Sequence, residues 1–215
     1  MSIRIDHLVV AAATLEQGAD WCERTLGVAP AAGGKHVGIG THNRLLSIAS
    51  AAFAQAYLEI IAIDPDAPPP QRPYWFGLDG AAMQARLRKS PRLVHAVARC
   101  VGLDEHLAAL GRLGVAAGEA LAAQRDGLRW RIAVRDDGQL LYGGALPTLI
   151  EWGDRHPSTQ LPPSPVALSA LALGGLPRPV VELLALHSVD CPATGPALRA
   201  VLHTPRGAVA LSSDD

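Results

Sequence analysis

Two histidines and two glutamates are the residues of this chain whose types and positions could do chemistry. His7, Glu59, His95 and Glu151 each lie in an otherwise apolar segment that is typical of a strand. Alternate residues of a strand share a face, so each polar group would have apolar neighbours. A buried carboxylate is costly unless it is paired, hydrogen-bonded or bound to a metal. Imidazole nitrogens and carboxylate oxygens suit a divalent transition metal with open positions, so we predict that these four residues bind zinc, nickel, manganese or iron.

A structural role is the alternative for each of these residues taken singly. An isolated His or Glu in a strand more often makes a structural hydrogen bond or faces solvent, and clusters of charge can be purely structural. The recurrence of one histidine and one glutamate in each half of the chain favours a functional site over that alternative.

The elements that carry these residues are themselves repeated. Residues 2–11 and 92–99 are apolar and typical of strands, and an amphipathic helix that ends in Leu-Gly-Val follows each of them. Further strands complete each unit, and the closing strand carries the glutamate. The chain therefore predicts two βαβββ modules, at residues 1–64 and 92–155.

The segments outside the modules differ from them in composition. Residues 65–91 begin with a proline-rich loop, which cannot join a central sheet, and end in a short predicted helix. Residues 156–215 begin with a second proline cluster and continue into a pattern typical of a βαββ-like partial module. Its first strand has Ser169 near the position where the modules have histidine, so we expect this extension to pack rather than to bind metal.

A glycine-rich segment at residues 33–43 is a candidate substrate-binding loop. Glycines let the backbone approach a ligand closely, and His36, Thr41 and Asn43 add hydrogen-bonding groups beside that backbone. An ordinary turn is the alternative, because Gly, Thr and Asn are common turn residues.

Trp75 and His156 lie close to the two proline clusters. Trp75 is a candidate for substrate binding as a wall of the pocket, with packing in the core as the alternative. His156 immediately precedes a proline, and we predict that it is an exposed loop residue.

The charge balance argues against nucleic acid as a partner and against disorder. The 19 Lys and Arg residues nearly cancel the 20 Asp and Glu residues, and a net charge of −1 provides no basic field for a phosphate backbone. With 49% hydrophobic and 18% charged residues, the chain is more apolar than disordered segments are. A small molecule is therefore the expected partner.

We expect a cytoplasmic protein with no membrane partner. The N-terminus reaches the ionisable pair Asp6 and His7 without a long apolar stretch, unlike a signal peptide. No apolar run approaches the ~20 residues that a membrane helix needs. The three widely spaced cysteines match neither a disulfide framework nor a metal-binding pair. The Arg- and Ala-rich composition is typical of bacteria with GC-rich genomes.

Four short strings give the chain a resemblance to a known family. They are Ile-Asp-His-Leu-Val-Val (5–10), Gly-Thr-His-Asn-Arg-Leu-Leu (40–46), Tyr-Leu-Glu-Ile-Ile (57–61) and Trp-Phe-Gly-Leu-Asp (75–79). With the doubled βαβββ pattern, they resemble the glyoxalase-like domain proteins of the vicinal oxygen chelate superfamily. That superfamily includes glyoxalase I, extradiol dioxygenases, methylmalonyl-CoA epimerase and bleomycin-resistance proteins. The resemblance covers about residues 3–155.

The resemblance implies an α+β fold in which paired modules form a cupped, half-barrel mixed sheet with the helices outside. It implies metal ligands on the first and last strands of each module, where this chain has His7, Glu59, His95 and Glu151. It further implies a lyase or isomerase in which the metal chelates two substrate oxygens and a carboxylate, Glu151 or Glu59, transfers a proton. A homodimer is also compatible with it, because many relatives pair their modules between chains.

Two other functions remain open at the level of the sequence. One is a metal-free protein that binds an antibiotic-type small molecule. The other is an extradiol-type dioxygenase, which would place two His and one Glu in one half of the fold. Function has to be argued from the site, because this fold serves many reactions.

Overall fold

The apolar runs of the two modules form one curled sheet of eight strands in the computed structural model, which describes residues 3–215. The strands of the first module are β1 (Arg4–Ala11), β2 (Ala31–His36), β3 (Thr41–Ser47) and β4 (Tyr57–Ile63). Those of the second module are β5 (Arg92–Arg99), β6 (Glu119–Arg125), β7 (Leu128–Val134) and β8 (Thr148–Trp152).

The order of the strands makes the two modules the two halves of a single half-barrel. β1 and β5 pair antiparallel in the middle of the sheet, while β4 runs parallel to β1 and β8 runs parallel to β5. The full order is β2-β3-β4-β1-β5-β8-β7-β6, so β2 and β6 are the edges. This topology confirms the predicted α+β fold of paired βαβββ modules.

The glycine-rich segment is part of the sheet rather than a loop. Its first residues belong to β2, its last residues begin β3, and a short turn joins the two strands. Glycines carry no side-chain alternation, so the sequence pattern did not separate this strand from a loop. The pairing with β3 decides its conformation.

Helices cover the convex face of the sheet. The first, α1 (Leu15–Leu26), begins after the N-cap Thr14, whose hydroxyl accepts a hydrogen bond from the Gln17 amide, and it ends at Gly27 with a left-handed φ of 77°. The second module contributes α3 (Leu103–Arg112) to this face, whereas the short α2 (Ala81–Leu87) of the connecting segment packs on the concave face through Leu87. None of the described helices is long and apolar enough to cross a membrane.

The C-terminal extension has the predicted βαββ order. It comprises β9 (Ala167–Leu173), α4 (Arg178–Leu184), β10 (Leu198–Thr204) and β11 (Gly207–Ser212), whose strands form a separate three-stranded sheet. The Leu168 amide donates a hydrogen bond to the Ile48 carbonyl, which joins this sheet to the first module. The Ser169 hydroxyl donates to the Val201 carbonyl within the small sheet.

Strand alternation divides the buried side chains between two cores. On β1, Leu8 and Val10 join the larger core under the helices, while Val9 belongs to a smaller core on the concave face. The concave face is also covered by the segment between the modules, whose Trp75 packs against this smaller core. The concave core forms the base of the cup in which the site lies.

We predict that Gly18 is essential to the packing of α1, although glycine is a poor helix former. A Cβ at Gly18 would overlap the Ile60 side chain on β4, whereas a Cβ at Gly111 of α3 would meet no atom within 4 Å. Gly18→Ala should therefore lower the free energy of unfolding by about 1–3 kcal/mol through overpacking. The control Gly111→Ala should raise it by up to about 1 kcal/mol through helix propensity. Urea unfolding measures both, and equal effects of the two variants would contradict this packing.

Candidate functional site

The cup contains one histidine–glutamate pair, on the neighbouring strands β1 and β4. The parallel register pairs His7 with Tyr57 and Val9 with Glu59, so the His7 and Glu59 side chains emerge on the same, concave face. His7 Nε2 lies 3.6 Å from Glu59 Oε2, and both residues are buried. The cavity around them comprises about 530 Å³ of empty space, part of which is open to solvent.

A buried carboxylate, Asp6, orients His7 from behind. Asp6 is fully buried and accepts hydrogen bonds from His7 Nδ1 at 2.7 Å, His156 Nε2 at 2.8 Å and Trp152 Nε1 at 2.9 Å. An irregularity in the β1–β5 register between Ile5 and His7 accompanies this arrangement. Such bulges redirect side chains, so adjacent residues of the strand can meet.

The hydrogen bonds to Asp6 define which nitrogen of His7 faces the cup. Burial raises the pKa of Asp6, but the hydrogen bonds from His156 and His7 outweigh it and lower that pKa well below its usual value. Asp6 is therefore ionised and can only accept, so the Nδ1 of His7 carries a proton. The Nε2 of His7 is then the nitrogen that can gain or lose a proton on the side of Glu59.

The side-chain amide of Asn43 fixes the other side of Glu59. Asn43 Oδ1 accepts a hydrogen bond from the Gly34 amide at 2.8 Å, so its NH₂ group points into the cup. From there Nδ2 donates to Glu59 Oε1 at 2.5 Å and lies 3.3 Å from His36 Nε2. One oxygen of Glu59 is therefore engaged, and the other faces His7.

His36 is a neutral part of this network. Burial lowers its pKa to about 4. Its Nε2 faces the Asn43 NH₂ group and therefore accepts, so its Nδ1 carries the proton and donates to the Thr41 hydroxyl at 2.9 Å. The three candidates from the glycine-rich segment thus form one series of contacts from Thr41 through His36 to Asn43, and Asn43 bonds to Glu59.

The glycines of β2 make room for this network. A Cβ at Gly33 would overlap the side chain and backbone of Asn43, and one at Gly34 would lie 3.0 Å from the Arg125 side chain. Only glycine at position 33 lets Asn43 approach the backbone of β2 this closely, and Arg125 packs tightly on Gly34.

Aromatic residues form the walls of the cup. The Trp75 ring lies 5.3 Å from the His36 ring, and Trp130 and Trp152 line the opposite side. Tyr57 stacks on His7 with the ring centroids 4.6 Å apart. Trp75 therefore belongs to both the lining and the concave core, which were the two roles considered for it.

The structure does not bring His95 to the His7–Glu59 pair as a free ligand. The Thr148 amide donates to His95 Nε2 at 3.1 Å, and His95 Nδ1 bonds to the Gly144 carbonyl at 3.1 Å. Burial lowers the pKa of His95 to about 3, so the ring is neutral and both of its nitrogens are used. The Phe76 ring covers it at 5.2 Å. His95 therefore connects β5 to the start of β8 and to Gly144 in the segment that leads into it.

Glu151 lies on the opposite face of the sheet, which corrects the expectation that four side chains converge. The β5–β8 register pairs Val97 with Thr148 and Ala98 with Leu149, so Leu149 and Glu151 point away from the cup. Glu151 Oε1 accepts a hydrogen bond from the Gly102 amide at 2.5 Å, at the start of α3. The helix N-terminus stabilises this carboxylate there.

The residues present therefore do not fit the predicted four-residue metal site. His95 and Glu151 make hydrogen bonds elsewhere in the protein. The Asn43 Nδ2 atom lies between His36 Nε2 and Glu59 Oε1. Within residues 3–215, no three His, Cys, Asp or Glu side chains are grouped so that they could bind a metal ion.

Sequence reasoning missed several residues of the site. His156 was predicted to be exposed, yet it is buried, because its Nδ1 faces the Ser158 amide while its Nε2 bonds to Asp6. Asp6 precedes His7 directly and was not singled out. Tyr57 and Arg125 also line the cavity, and only the shared strand face of Tyr57 and Glu59 was visible in the sequence.

A family comparison names the family to which this doubled βαβββ half-barrel belongs. The model of the glyoxalase-like domain family matches residues 5–185, so the chain belongs to this family. Comparison with curated proteins gives no match.

Several solved structures are similar to this chain at low sequence identity. A hypothetical protein from Staphylococcus aureus has 12% identity and a TM-score of 0.55, with 99% of this chain and 85% of that chain covered. Methylmalonyl-CoA epimerase from Mycobacterium tuberculosis has 15% identity and a TM-score of 0.43 over 73% of this chain and 91% of that chain. A variant of the Streptomyces coelicolor enzyme, in complex with 2-nitronate-propionyl-CoA, has 16% identity and a TM-score of 0.44 over 71% of this chain and 96% of that chain.

We predict that Asp6→Asn destabilises the protein by about 3 kcal/mol at neutral pH, because a buried charged acceptor of three hydrogen bonds is lost. The folded-state pKa of Asp6 is lowered, so its contribution is complete above its unfolded pKa and declines as the pH falls below about 4. Urea unfolding at several pH values should show this difference narrowing in acid. Asp20→Asn on the exposed side of α1 is the control. An Asp6→Asn variant as stable as that control would show that the three hydrogen bonds to Asp6 do not stabilise the protein.

We also predict that protein purified without chelator takes up no stoichiometric zinc, nickel, manganese or iron in the cup. The nitrogens of His95 and His36 already make hydrogen bonds within the protein. Elemental analysis after dialysis against each metal tests this. One bound equivalent that disappears in both His7→Ala and Glu151→Ala would restore the four-residue site.

Proposed function

We propose that this protein is a lyase or isomerase that moves a proton on a small oxygenated substrate, with Glu59 as the base. The observation that carries the proposal is the unequal environment of the two Glu59 oxygens. Oε1 accepts the Asn43 hydrogen bond, while Oε2 lies 3.6 Å from His7 Nε2, beyond hydrogen-bond distance. An oriented carboxylate oxygen that has no hydrogen-bond donor within residues 3–215 and lies in a largely buried cup is suited to accept a proton from carbon.

The proposed step balances without any further reactant. The C–H bond next to a carbonyl or carboxylate carbon breaks, its electron pair becomes the C=C bond of an enediolate as the C=O π pair moves onto oxygen, and the proton goes to Glu59 Oε2. The proton then returns to the substrate at the same or the neighbouring carbon, either directly from Glu59 or by way of His7 Nε2, which first accepts it from Glu59 Oε2. A carboxylate and an imidazole side by side can serve as base and acid in turn.

Positioning residues support this pair. Asp6 keeps the Nδ1 proton of His7 in place, so that Nε2 is the atom that exchanges protons. The Gly34 amide fixes the Asn43 side chain, which in turn fixes Glu59. The walls formed by Trp75, Trp130 and Trp152 exclude water from a charged intermediate.

The proposal routes no step through a metal. The metal-dependent version predicted from the sequence needed His95 and Glu151 as ligands, and their nitrogens and oxygens are engaged by Thr148, Gly144 and Gly102. A binding-only function uses the same cup without the proton transfer, and the experiment below separates the two.

Glu59→Gln should abolish proton exchange between substrate carbon and solvent. We suggest ¹H NMR in D₂O with 2-hydroxy ketones, 2-hydroxy acids, 2-oxo acids and a hemithioacetal of a 2-oxo aldehyde. The wild type should exchange the C–H proton of at least one compound, and the substitution should slow this about 10²- to 10⁴-fold, because the general base is lost.

The control is Glu119→Gln, which changes the same residue type at an exposed position of β6 and should leave the rate unchanged. Glu151→Gln tests the four-residue alternative, under which it would be as damaging as the change at Glu59. A wild type that exchanges none of the compounds, or a Glu59→Gln variant that retains the rate, would contradict the proposal. Binding without exchange would identify a binding protein instead.

A further inference from the structure

Arg125 is the only Lys or Arg among the described residues that line the cavity. It is the last residue of β6, and the Asp126–Gly127 turn that follows has φ values of 50° and 77° at its two residues. Such two-residue turns join strands tightly, and this one pairs Arg125 directly with Leu128 of β7. The second module therefore supplies a cation to a site whose other polar groups come mostly from the first.

The side chain of Arg125 crosses from one edge of the curled sheet to the other. β6 and β2 are the two edges, yet the Cδ, Nε and Cζ atoms of Arg125 would lie 3.0 Å from a Cβ at Gly34 of β2. The guanidinium thus packs on the β2 backbone beside the Gly34–Asn43 hydrogen bond. It closes the cup on the side where the sheet is open.

The charge of this guanidinium is poorly compensated within the protein. Its nearest acidic partner is Asp126, with Nε and Oδ2 at 3.8 Å, and the Asp126 side chain is 80% exposed. Nη1 of Arg125 is buried, and no atom of the described residues makes a hydrogen bond with it. An arginine stays charged at any physiological pH, so an unpartnered buried N–H group of this kind calls for an acceptor from outside the chain.

We propose that Arg125 binds a carboxylate group of the substrate, and that the substrate is therefore a small 2-hydroxy or 2-oxo acid. This inference rests on the proposed function for the position of the reacting carbon, which would lie between Arg125 and Glu59. A guanidinium matches the two oxygens of a carboxylate with two parallel N–H groups. A phosphate dianion is less suited, because a single cation faces the cavity.

The surroundings of Arg125 agree with an anion at this position. His36 is neutral, since burial lowers its pKa to about 4, and it therefore adds no second charge. Burial raises the pKa of Tyr57 well above its usual value, so its hydroxyl remains a neutral hydrogen-bonding group at the base of the cup. The lining also includes the apolar residues Val97, Leu128 and Ile150, which suit contact with a short carbon chain.

The test measures binding rather than turnover. The tryptophans that line the cavity should report ligand binding by a change in fluorescence. The probes are 2-hydroxybutanoate, its neutral counterpart 2-hydroxybutanamide and inorganic phosphate. We expect the wild type to bind the carboxylate at least ten-fold more tightly than the amide, and phosphate more weakly than the carboxylate.

Substitution of Arg125 should remove this preference. Arg125→Met should weaken binding of the carboxylate at least ten-fold while leaving binding of the amide unchanged, and Arg125→Lys should keep part of the preference through its charge. Arg129→Met, two residues beyond the turn on the exposed side of β7, is the matched control and should behave as the wild type does. Thermal unfolding of each variant verifies that it is folded.

Several results would overturn the inference. They are equal affinities for the carboxylate and the amide, undiminished carboxylate binding by Arg125→Met, no carboxylate binding at all, and tighter binding of phosphate.

Glu59→Gln separates this inference from the proposed function, since it should bind 2-hydroxybutanoate while losing exchange. Arg125-dependent binding without exchange in the wild type would refute only the proton transfer, and exchange that does not depend on Arg125 would refute only the carboxylate site.

Discussion

The buried carboxylate of Asp6 is the interaction on which the site depends. It lies on the central strand of the first module and accepts hydrogen bonds from His7 on the same strand and from Trp152 and His156 at the end of the second module. An ionised group in this position is tolerated only because three N–H donors replace water. The same contacts that compensate its burial connect the closing strand of one module to the opening strand of the other. They also orient the histidine that faces the cup.

The two modules share a topology but not a site. In the first, the parallel register places Glu59 on the same face as His7. In the second, the register places Glu151 on the face opposite to Val97, where it stabilises the start of α3. Because the side-chain period of a strand is two, a difference of one residue is enough to move a carboxylate across the sheet. The repeat therefore yields one half whose His–Glu pair faces the cup and one half in which His95 and Glu151 make structural hydrogen bonds instead.

The second module still contributes to the cup through its walls and its edge. Trp130 and Trp152 line the cavity, and Arg125 reaches across the opening to the glycines of β2. Negative charge on Glu59 and positive charge on Arg125 therefore meet in one small cavity although they come from different modules. A substrate with an acidic C–H bond and an anionic group would require such a base and such a cation at two positions of the same cavity.

The sequence by itself determined the architecture. Hydrophobic periodicity and the repeated Leu-Gly-Val helix ends sufficed for two βαβββ modules and a partial module after them. The strings around His7 and Glu59 also led to the family that the comparison with the family model then established. These features are local, since each depends on residues within one or two elements. Local patterns survive in the sequence because propensity and burial act on neighbouring residues.

Only the tertiary structure decided the composition of the site. The glycine-rich strand was not recognised, because glycine has no side chain from which to infer alternation. The roles of His95 and Glu151 depended on the register with β8 and on the backbone amides of Thr148 and Gly102, which no spacing in the sequence reveals. The burial of His156 and the approach of Arg125 to Gly34 join residues far apart in the chain. Which polar groups are paired with one another is a property of the folded cup rather than of any segment within it.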